Sequence, residues 1–219
     1  MTVSRLIRLS GLAGIGGGIF IILARVFQVL LFGSLPLSVQ AASDLFVPAL
    51  GIPGLLGSLG FLIGLAGLYL RQAKQTGIVG LIVFSLAFTG IALSFGANWG
   101  YAFMAPYLAS QNPGLLDASF TDPNWGVLGT GFLLSYLAGG LSWLLVGITT
   151  LLARVLPGWV GLAIIVSIIL VAVAPVETTG PGGILVNALL SAGPIAAGFA
   201  LWAEKAAGED IPVPGAAGA

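Results

Sequence analysis

Residues 51–70 read GIPGLLGSLGFLIGLAGLYL and contain no charged side chain. A helix needs about 20 predominantly apolar residues to cross a bilayer, so this stretch predicts a membrane span. Glycines spaced three or four residues apart lie near one face of a helix, and in lipid such a face lets a neighbouring helix approach closely. Five glycines of this stretch have that spacing: Gly54, Gly57, Gly60, Gly64 and Gly67.

Charged residues are scarce along the whole chain. Of its 219 residues seven are basic and seven acidic, and 58% are hydrophobic. A soluble domain carries about 25% charged residues, so the composition indicates a multi-pass membrane protein. The apolar runs show none of the alternation typical of barrel strands, and they predict an all-α transmembrane bundle. Six helical spans are expected within residues 1–205, at about residues 9–32, 51–70, 77–99, 127–152, 158–175 and 183–203.

The few charges also predict an orientation. With six spans, all basic residues but one fall on one side of the membrane, and the acids of the loops fall on the other. Basic residues concentrate in cytoplasmic loops, so both termini are expected in the cytoplasm and the protein in a bacterial inner membrane. Residues 206–219 are rich in glycine and proline and predict a disordered tail. The sorted residues are Arg5, Arg8, Arg71, Lys74, Arg154 and Lys205 inside, and Asp44, Asp117, Asp122 and Glu177 outside.

The N-terminal apolar run is expected to stay in the protein as span 1. Residues 9–32 exceed the apolar core of a secretory signal, which is only about 7–15 residues long. Gly14 and Gly18 lie one turn apart in this span. Close helix packing is therefore predicted at Gly14, Gly18, Gly57, Gly60, Gly64 and Gly67.

Arg25 is the one charged residue inside a predicted span. An ionisable group at this depth is by default a functional hypothesis. The topology directs further polar side chains toward the same outer side, with Tyr101 and Trp99 at the rim of the pocket they would form. The alternative is a structural role, in which Arg25 extends to the headgroups or pairs with an outer carboxylate. The candidate ligand-binding residues are Arg25, Gln28, Asn98, Asn187 and Glu177.

Several kinds of chemistry are excluded or disfavoured by composition. The chain has no Cys and no His, so thiolate nucleophiles, disulfides and His-ligated metals or haem are impossible. Its net charge is zero, which gives no basic footprint for nucleic acid. No acid lies within a span, which disfavours an ion-coupled pump. Neither a metal nor a cofactor is expected, and an interfacial enzyme using Asp117, Asp122 or Glu177 is the least favoured hypothesis.

A resemblance rests on residues 140–161. Gly140 and Gly147 lie on a helix that ends at Arg154, and residues 156–161, LPGWVG, open the next helix. This pattern resembles uncharacterised six-span bacterial membrane proteins. The resemblance implies the six-span fold and carries no catalytic residue with it.

Two functional hypotheses follow from the sequence. The first is a non-enzymatic integral membrane protein with a structural or accessory role, in contact with the bilayer and with a membrane-protein partner or a second copy of itself. The second is a small passive carrier or channel, or a lipid- or amphiphile-binding protein, that uses an outer polar pocket around Arg25. The direction in which Arg25 points distinguishes the two hypotheses.

Overall fold

The computed structural model describes residues 3–117, 126–173 and 180–203. Helix makes up 92% of these residues, and no strand occurs among them, which confirms the predicted all-α class. Asp122, Glu177, Lys205 and the predicted tail at 206–219 lie outside the described residues. The helices are α1 (Val3–Phe32), α2 (Leu37–Ala41), α3 (Ile52–Trp99), α4 (Ala105–Gln111), α5 (Pro113–Asp117), α6 (Gly126–Ala153), α7 (Gly158–Val173) and α8 (Pro181–Ala203).

Among the described residues, four continuous helical segments are long and apolar enough to cross a membrane: Val3–Phe32, Val47–Gln111, Leu133–Ala153 and Pro181–Ala203. A shorter apolar helix covers Gly158–Val173. Large apolar side chains point away from the bundle, and Leu30 and Leu152 are 74% and 76% exposed. Contiguous apolar surface of this kind is rare on soluble monomers, and it is the surface that lipid tails cover. The long apolar helices and the exposed apolar surface are those of a membrane protein.

The longest segment is a helical hairpin that reverses at Gly77. The Gly77 backbone has φ 53° and ψ −139°, a left-handed geometry that glycine adopts without a Cβ penalty. The Asn98 side chain reaches Ser58 at 2.7 Å, although the two residues would lie about 60 Å apart in a straight helix. The rings of Tyr69 and Phe84 likewise lie 5.3 Å apart. We call residues 52–76 the first arm and residues 78–99 the second arm.

The helices form a closed bundle around an apolar centre. Helix α1 packs against α3 and α8, α3 against α6, α6 against α7, and α7 against α8. In the centre the rings of Phe61 and Trp143 meet edge to face at 6.4 Å, and Leu65 and Leu68 are buried beside them. The space left at this point is a cavity of about 10 Å³. That volume is about the minimum that holds one water molecule.

Glycine permits the close approach of α1 to the first arm. A Cβ on Gly60 would lie 2.5 Å from the carbonyl oxygen of Ala13, and one on Gly17 would lie 2.7 Å from that of Gly57. Gly18 instead faces α8, where a Cβ would lie 2.5 Å from the Ile195 side chain. All six glycines of the predicted packing set have a neighbouring helix within 4 Å of the position that a Cβ would take: Gly14, Gly18, Gly57, Gly60, Gly64 and Gly67.

A small second core covers the end of the hairpin opposite Gly77. Residues 33–51 and 100–117 form this region, which we call the cap. It includes two π-helical turns, Val47–Gly51 and Gly100–Met104, which continue the two arms of the hairpin. Phe32, the last residue of α1, forms the core of the cap together with Ala41, Phe46, Leu50, Ala105 and Leu116.

Candidate functional site

Arg25 lies where α1 meets the first turn of α8. Its Nη1 donates to Oε1 of Gln28, one turn further along α1. The guanidinium lies close to the backbone of Gly183, where a Cβ would be only 2.6 Å from Nε. Glycine at position 183 is therefore what lets the guanidinium reach the α8 backbone. Arg25 thus makes contacts within the bundle.

A chain of amide side chains continues from Arg25 into the cap. Gln28 Nε2 donates to Oε1 of Gln40 at 2.8 Å, and Gln40 Nε2 donates to the carbonyl oxygen of Leu35 at 2.6 Å. The Tyr101 hydroxyl lies 3.5 Å from the same Gln28 nitrogen. Gln40 is only 2% exposed, so its amide needs these partners to offset desolvation. We call Arg25, Gln28, Gln40 and Tyr101 the Arg25 network.

The other predicted site residues lie in different places. Asn98 Nδ2 donates to the Ser58 hydroxyl and so joins the two arms of the hairpin. Asn187 Nδ2 donates to the carbonyl oxygen of Gly183 at 2.8 Å, in the turn of α8 against which Arg25 packs. Glu177 is outside the described residues. The structure therefore brings Arg25 and Gln28 together, places Asn187 near the same turn of α8, and uses Asn98 within the hairpin.

The two aromatic residues expected at a pocket rim have different surroundings. The Tyr101 ring packs on Phe46 with 5.1 Å between centroids, inside the cap. Trp99 is exposed and its ring lies 5.7 Å from that of Phe103. Tyr101 is thus part of the Arg25 network, whereas Trp99 belongs to the outer surface of the bundle.

The carboxylate of Asp117, in the cap, accepts hydrogen bonds from the first turn of α2 and does not pair with Arg25. Asp117 accepts hydrogen bonds from the Ser38 hydroxyl at 2.6 Å and from the Ser38 backbone N–H at 2.9 Å. The hydroxyl hydrogen bond, followed by the backbone one, lowers the pKa of Asp117 below its usual 3.8. The contact ties α2 to α5 across the cap.

This contact predicts a pH-dependent difference between the wild type and Asp117→Asn. Because the pKa of Asp117 is lower in the folded protein, the carboxylate stabilises the fold above its ordinary pKa of 3.8 and stops doing so as the pH falls through the lowered pKa. The group is exposed, so we expect a loss of less than about 1 kcal/mol at pH 7. Thermal melts of both proteins should differ at pH 7 and converge well below pH 3.8. A difference that persists in strong acid would contradict this assignment.

Three buried polar residues elsewhere were not anticipated from the sequence. Gln72 is 0% exposed, and its Nε2 donates to the Thr150 hydroxyl at 3.1 Å, joining the first arm to α6. Its Oε1, like the buried Ser191 hydroxyl, has no hydrogen-bond partner in the structure. Gln72 lies beside Arg71 and Lys74 in the sequence, where a glutamine is ordinarily solvated, so no local pattern distinguished it.

No group of three or more acidic side chains that could hold a metal ion occurs within residues 3–117, 126–173 and 180–203. Several of the polar groups described above form hydrogen bonds between different helices or arms, among them Gln28 to Gln40, Asn98 to Ser58 and Gln72 to Thr150. Comparison of the chain with protein-family models, with curated proteins and with solved structures finds no match.

Proposed function

We propose that the chain crosses the membrane six times, with both ends on the cytoplasmic side of a bacterial inner membrane. The hairpin supplies two of the crossings, because its arms run antiparallel from Gly77. Five of the six basic residues that the structure describes collect at one end of the bundle. Ser10 of α1 packs on Gly67, and Thr150 of α6 bonds Gln72, so Arg5, Arg8, Arg71, Lys74 and Arg154 lie toward the Gly77 end.

The cap end carries the opposite charge. Asp44 and Asp117, the acids of the described residues, both belong to the cap. Basic residues favour the cytoplasmic side, so this separation supports an inner Gly77 end and an outer cap. The same separation follows from the sequence alone when six spans are assumed.

Because the chain has no cysteine, single cysteines can test this topology without background labelling. Single substitutions Ser43→Cys, Ser110→Cys and Gln75→Cys are labelled in intact cells with a membrane-impermeant maleimide. We expect Ser43→Cys and Ser110→Cys to react from outside, and Gln75→Cys to react only after the membrane is opened. Residues 43 and 110 flank the 47–111 segment, so labelling from opposite sides would contradict the hairpin and the six-span count.

We further propose that the protein is not an enzyme and has a structural or accessory role in the membrane. The observation that carries this proposal is that polar side chains inside the bundle bond to other parts of the bundle itself. Gln28, Gln40 and Asn98 form hydrogen bonds to other parts of the bundle, and apolar rings fill its centre. In such a role the protein would act through its lipid-facing surface, on a membrane-protein partner or on a second copy.

Native mass spectrometry of the full chain, released gently from membranes that contain it at its normal level, tests this role. A structural or accessory protein should emerge in an assembly of fixed stoichiometry with another membrane protein or with itself. A bare monomer under conditions that preserve other membrane complexes would contradict the proposal.

A second candidate function has one observation in its favour. The Arg25 guanidinium lies against the first turn of α8, where the helix dipole is positive. Both features favour an anionic group, such as a lipid phosphate or the carboxylate of an amphiphile. In the same mass spectra, an anionic lipid that is retained by the wild type and lost from Arg25→Ala would favour this function. Equal retention would count against it.

A further inference from the structure

A cleft lies in the cap, between the segments on either side of the hairpin. Residues 41–47 form one side and residues 106–110 the other, and together they enclose about 360 Å³. Clefts that bind small molecules enclose about 300–1,000 Å³, whereas the cavity in the centre of the bundle is far below that range. The walls are apolar and are formed by Ala41, Ala42, Val47, Pro106 and Ala109.

Packing contacts hold the base of this cleft in place. Ala41 on one wall is buried, and next to the cleft Phe46 and Ala105 belong to the core of the cap. The Asp117–Ser38 contact holds α2 in place, and the Gln28–Gln40 contact holds it to α1. The cleft is therefore formed before any ligand arrives, which reduces the entropic cost of binding.

One charged side chain, that of Asp44, lies among the polar groups that line the cleft. Ser43 and Ser110 line it, but both hydroxyls are engaged locally: Ser43 Oγ accepts from Leu45 N–H, and Ser110 Oγ donates to the Tyr107 carbonyl. Among the lining residues only Asp44 is charged. Within the residues that the structure describes, its carboxylate forms no hydrogen bond or ion pair. The cleft thus combines apolar walls with one carboxylate, and no basic residue in the described part of the chain neutralises it.

The cleft lies where both soluble molecules and lipid headgroups can reach it. Val47 is 24 residues from Arg71 along the continuous helical segment that contains the first arm, or about 36 Å, and the hydrocarbon core of a bilayer is about 30 Å thick. If Arg71 marks one boundary of that core, the cleft lies just beyond the other, at the level of the headgroups.

We propose that this cleft binds a small organic ammonium group with an apolar body. The ammonium would pair with Asp44, and the apolar part would contact Ala41, Ala42 and Ala109. Two sources share this chemistry: a free amine in solution and the amine of a lipid headgroup. Neither source requires Arg25, which lies in the Arg25 network and does not line the cleft.

The test uses the full chain in a neutral maltoside detergent, with benzylammonium as the probe and benzyl alcohol as its uncharged analogue. Binding is measured by ligand-observed NMR. We expect benzylammonium to bind about fivefold more tightly than benzyl alcohol, the effect of one charge pair at contact distance in a water-exposed site. Asp44→Asn should remove this preference and leave the binding of benzyl alcohol unchanged, which also shows that the cleft is intact.

Two further variants locate the binding. Ala42→Leu fills the cleft at an exposed position and should abolish the binding of both probes. Ser34→Leu adds the same side chain at an exposed residue of the cap that does not line the cleft, and it should leave the binding of both probes unchanged. Equal affinity for the two probes, or a preference that survives Asp44→Asn, would overturn the proposal. Unaltered binding to Ala42→Leu would overturn it as well.

The source of the amine is resolved by competition. A short-chain phosphatidylethanolamine that displaces benzylammonium, where the matching phosphatidylglycerol does not, identifies the headgroup amine as a ligand. Failure of both lipids to compete excludes the headgroup amine and leaves the free amine as the source.

Discussion

Replacing Gly17 by leucine should disrupt the bundle. Even the first carbon of the new side chain would lie 2.7 Å from the carbonyl oxygen of Gly57 and 3.0 Å from the backbone N of Phe61. Neither backbone group can move without separating α1 from the first arm. Overpacking of a tight core costs about 1–3 kcal/mol and occasionally more, and we expect at least about 3 kcal/mol here. The measurement is the apparent melting temperature in detergent, followed by size-exclusion chromatography.

The neighbouring glycine on α1 provides a matched control. A Cβ on Gly16 would have no atom within 4 Å, so Gly16→Leu adds the same apolar volume at an open position. This variant should melt at or above the wild-type temperature, because leucine also has the higher helix propensity. Gly60→Leu should behave like Gly17→Leu, since it meets the same contact from the other helix. Equal stability of the Gly16 and Gly17 variants would refute the assigned packing of α1.

Gln72→Glu should be the second severe substitution. The side chain keeps its length, but a carboxylate would occupy a site that is 0% exposed and whose one described partner is the Thr150 hydroxyl. Burial of an unneutralised charge costs several kcal/mol even after the protein relaxes. We expect Gln72→Glu at pH 8 to lose about 3 kcal/mol or more, measured as a lower melting temperature and a loss of monodisperse protein.

Two companion variants separate charge from shape. Gln72→Leu removes the amide together with its unsatisfied Oε1, and Thr150 can then bond a carbonyl of its own helix, so we expect a change within about 1 kcal/mol. Gln75→Glu places the same new charge on an exposed residue one turn away and should leave stability unchanged. A Gln72→Glu protein as stable as Gln75→Glu would show that residue 72 is accessible to water.

The helical class of the fold could be predicted from the sequence because lipid restricts the secondary structures that can cross a membrane. Long apolar runs without alternation leave only helices, and the structure confirms this class. Arg71 and Lys74 indicated a break between residues 51–70 and 77–99, and the chain indeed reverses next to them, at Gly77. The six-span count and the orientation stay predictions that cysteine labelling can decide.

The cap could not be predicted in the same way. Residues 33–51 and 100–117 mix prolines, aromatics and serines, and their short helices are held by contacts between distant segments. Ser38 and Asp117 are 79 residues apart, and Gln28 and Tyr101 are 73 apart. Such contacts depend on how the arms are aligned, which no local pattern records.

In the candidate site, too, contacts between residues close in sequence could be predicted, whereas contacts between distant residues could not. Gln28 was associated with Arg25 because residues three apart share a helix face, and the two side chains are hydrogen bonded. Asn98 was placed near Arg25 only by its depth in the membrane. Depth does not specify the direction of a side chain, and Asn98 instead bonds Ser58 of its own hairpin. Gln40 was overlooked because a glutamine in a polar loop is normally exposed.

The Ser58–Asn98 hydrogen bond has a consequence for how the protein enters the membrane. An asparagine on an isolated apolar helix would face hydrocarbon with an unsatisfied amide. Here the partner lies on the preceding arm, which is synthesised first. In the proposed orientation, the two arms can therefore leave the insertion machinery as one unit whose polar side chain is already satisfied, with the reversal at Gly77 on the cytoplasmic side. The hairpin is in this sense a unit of assembly.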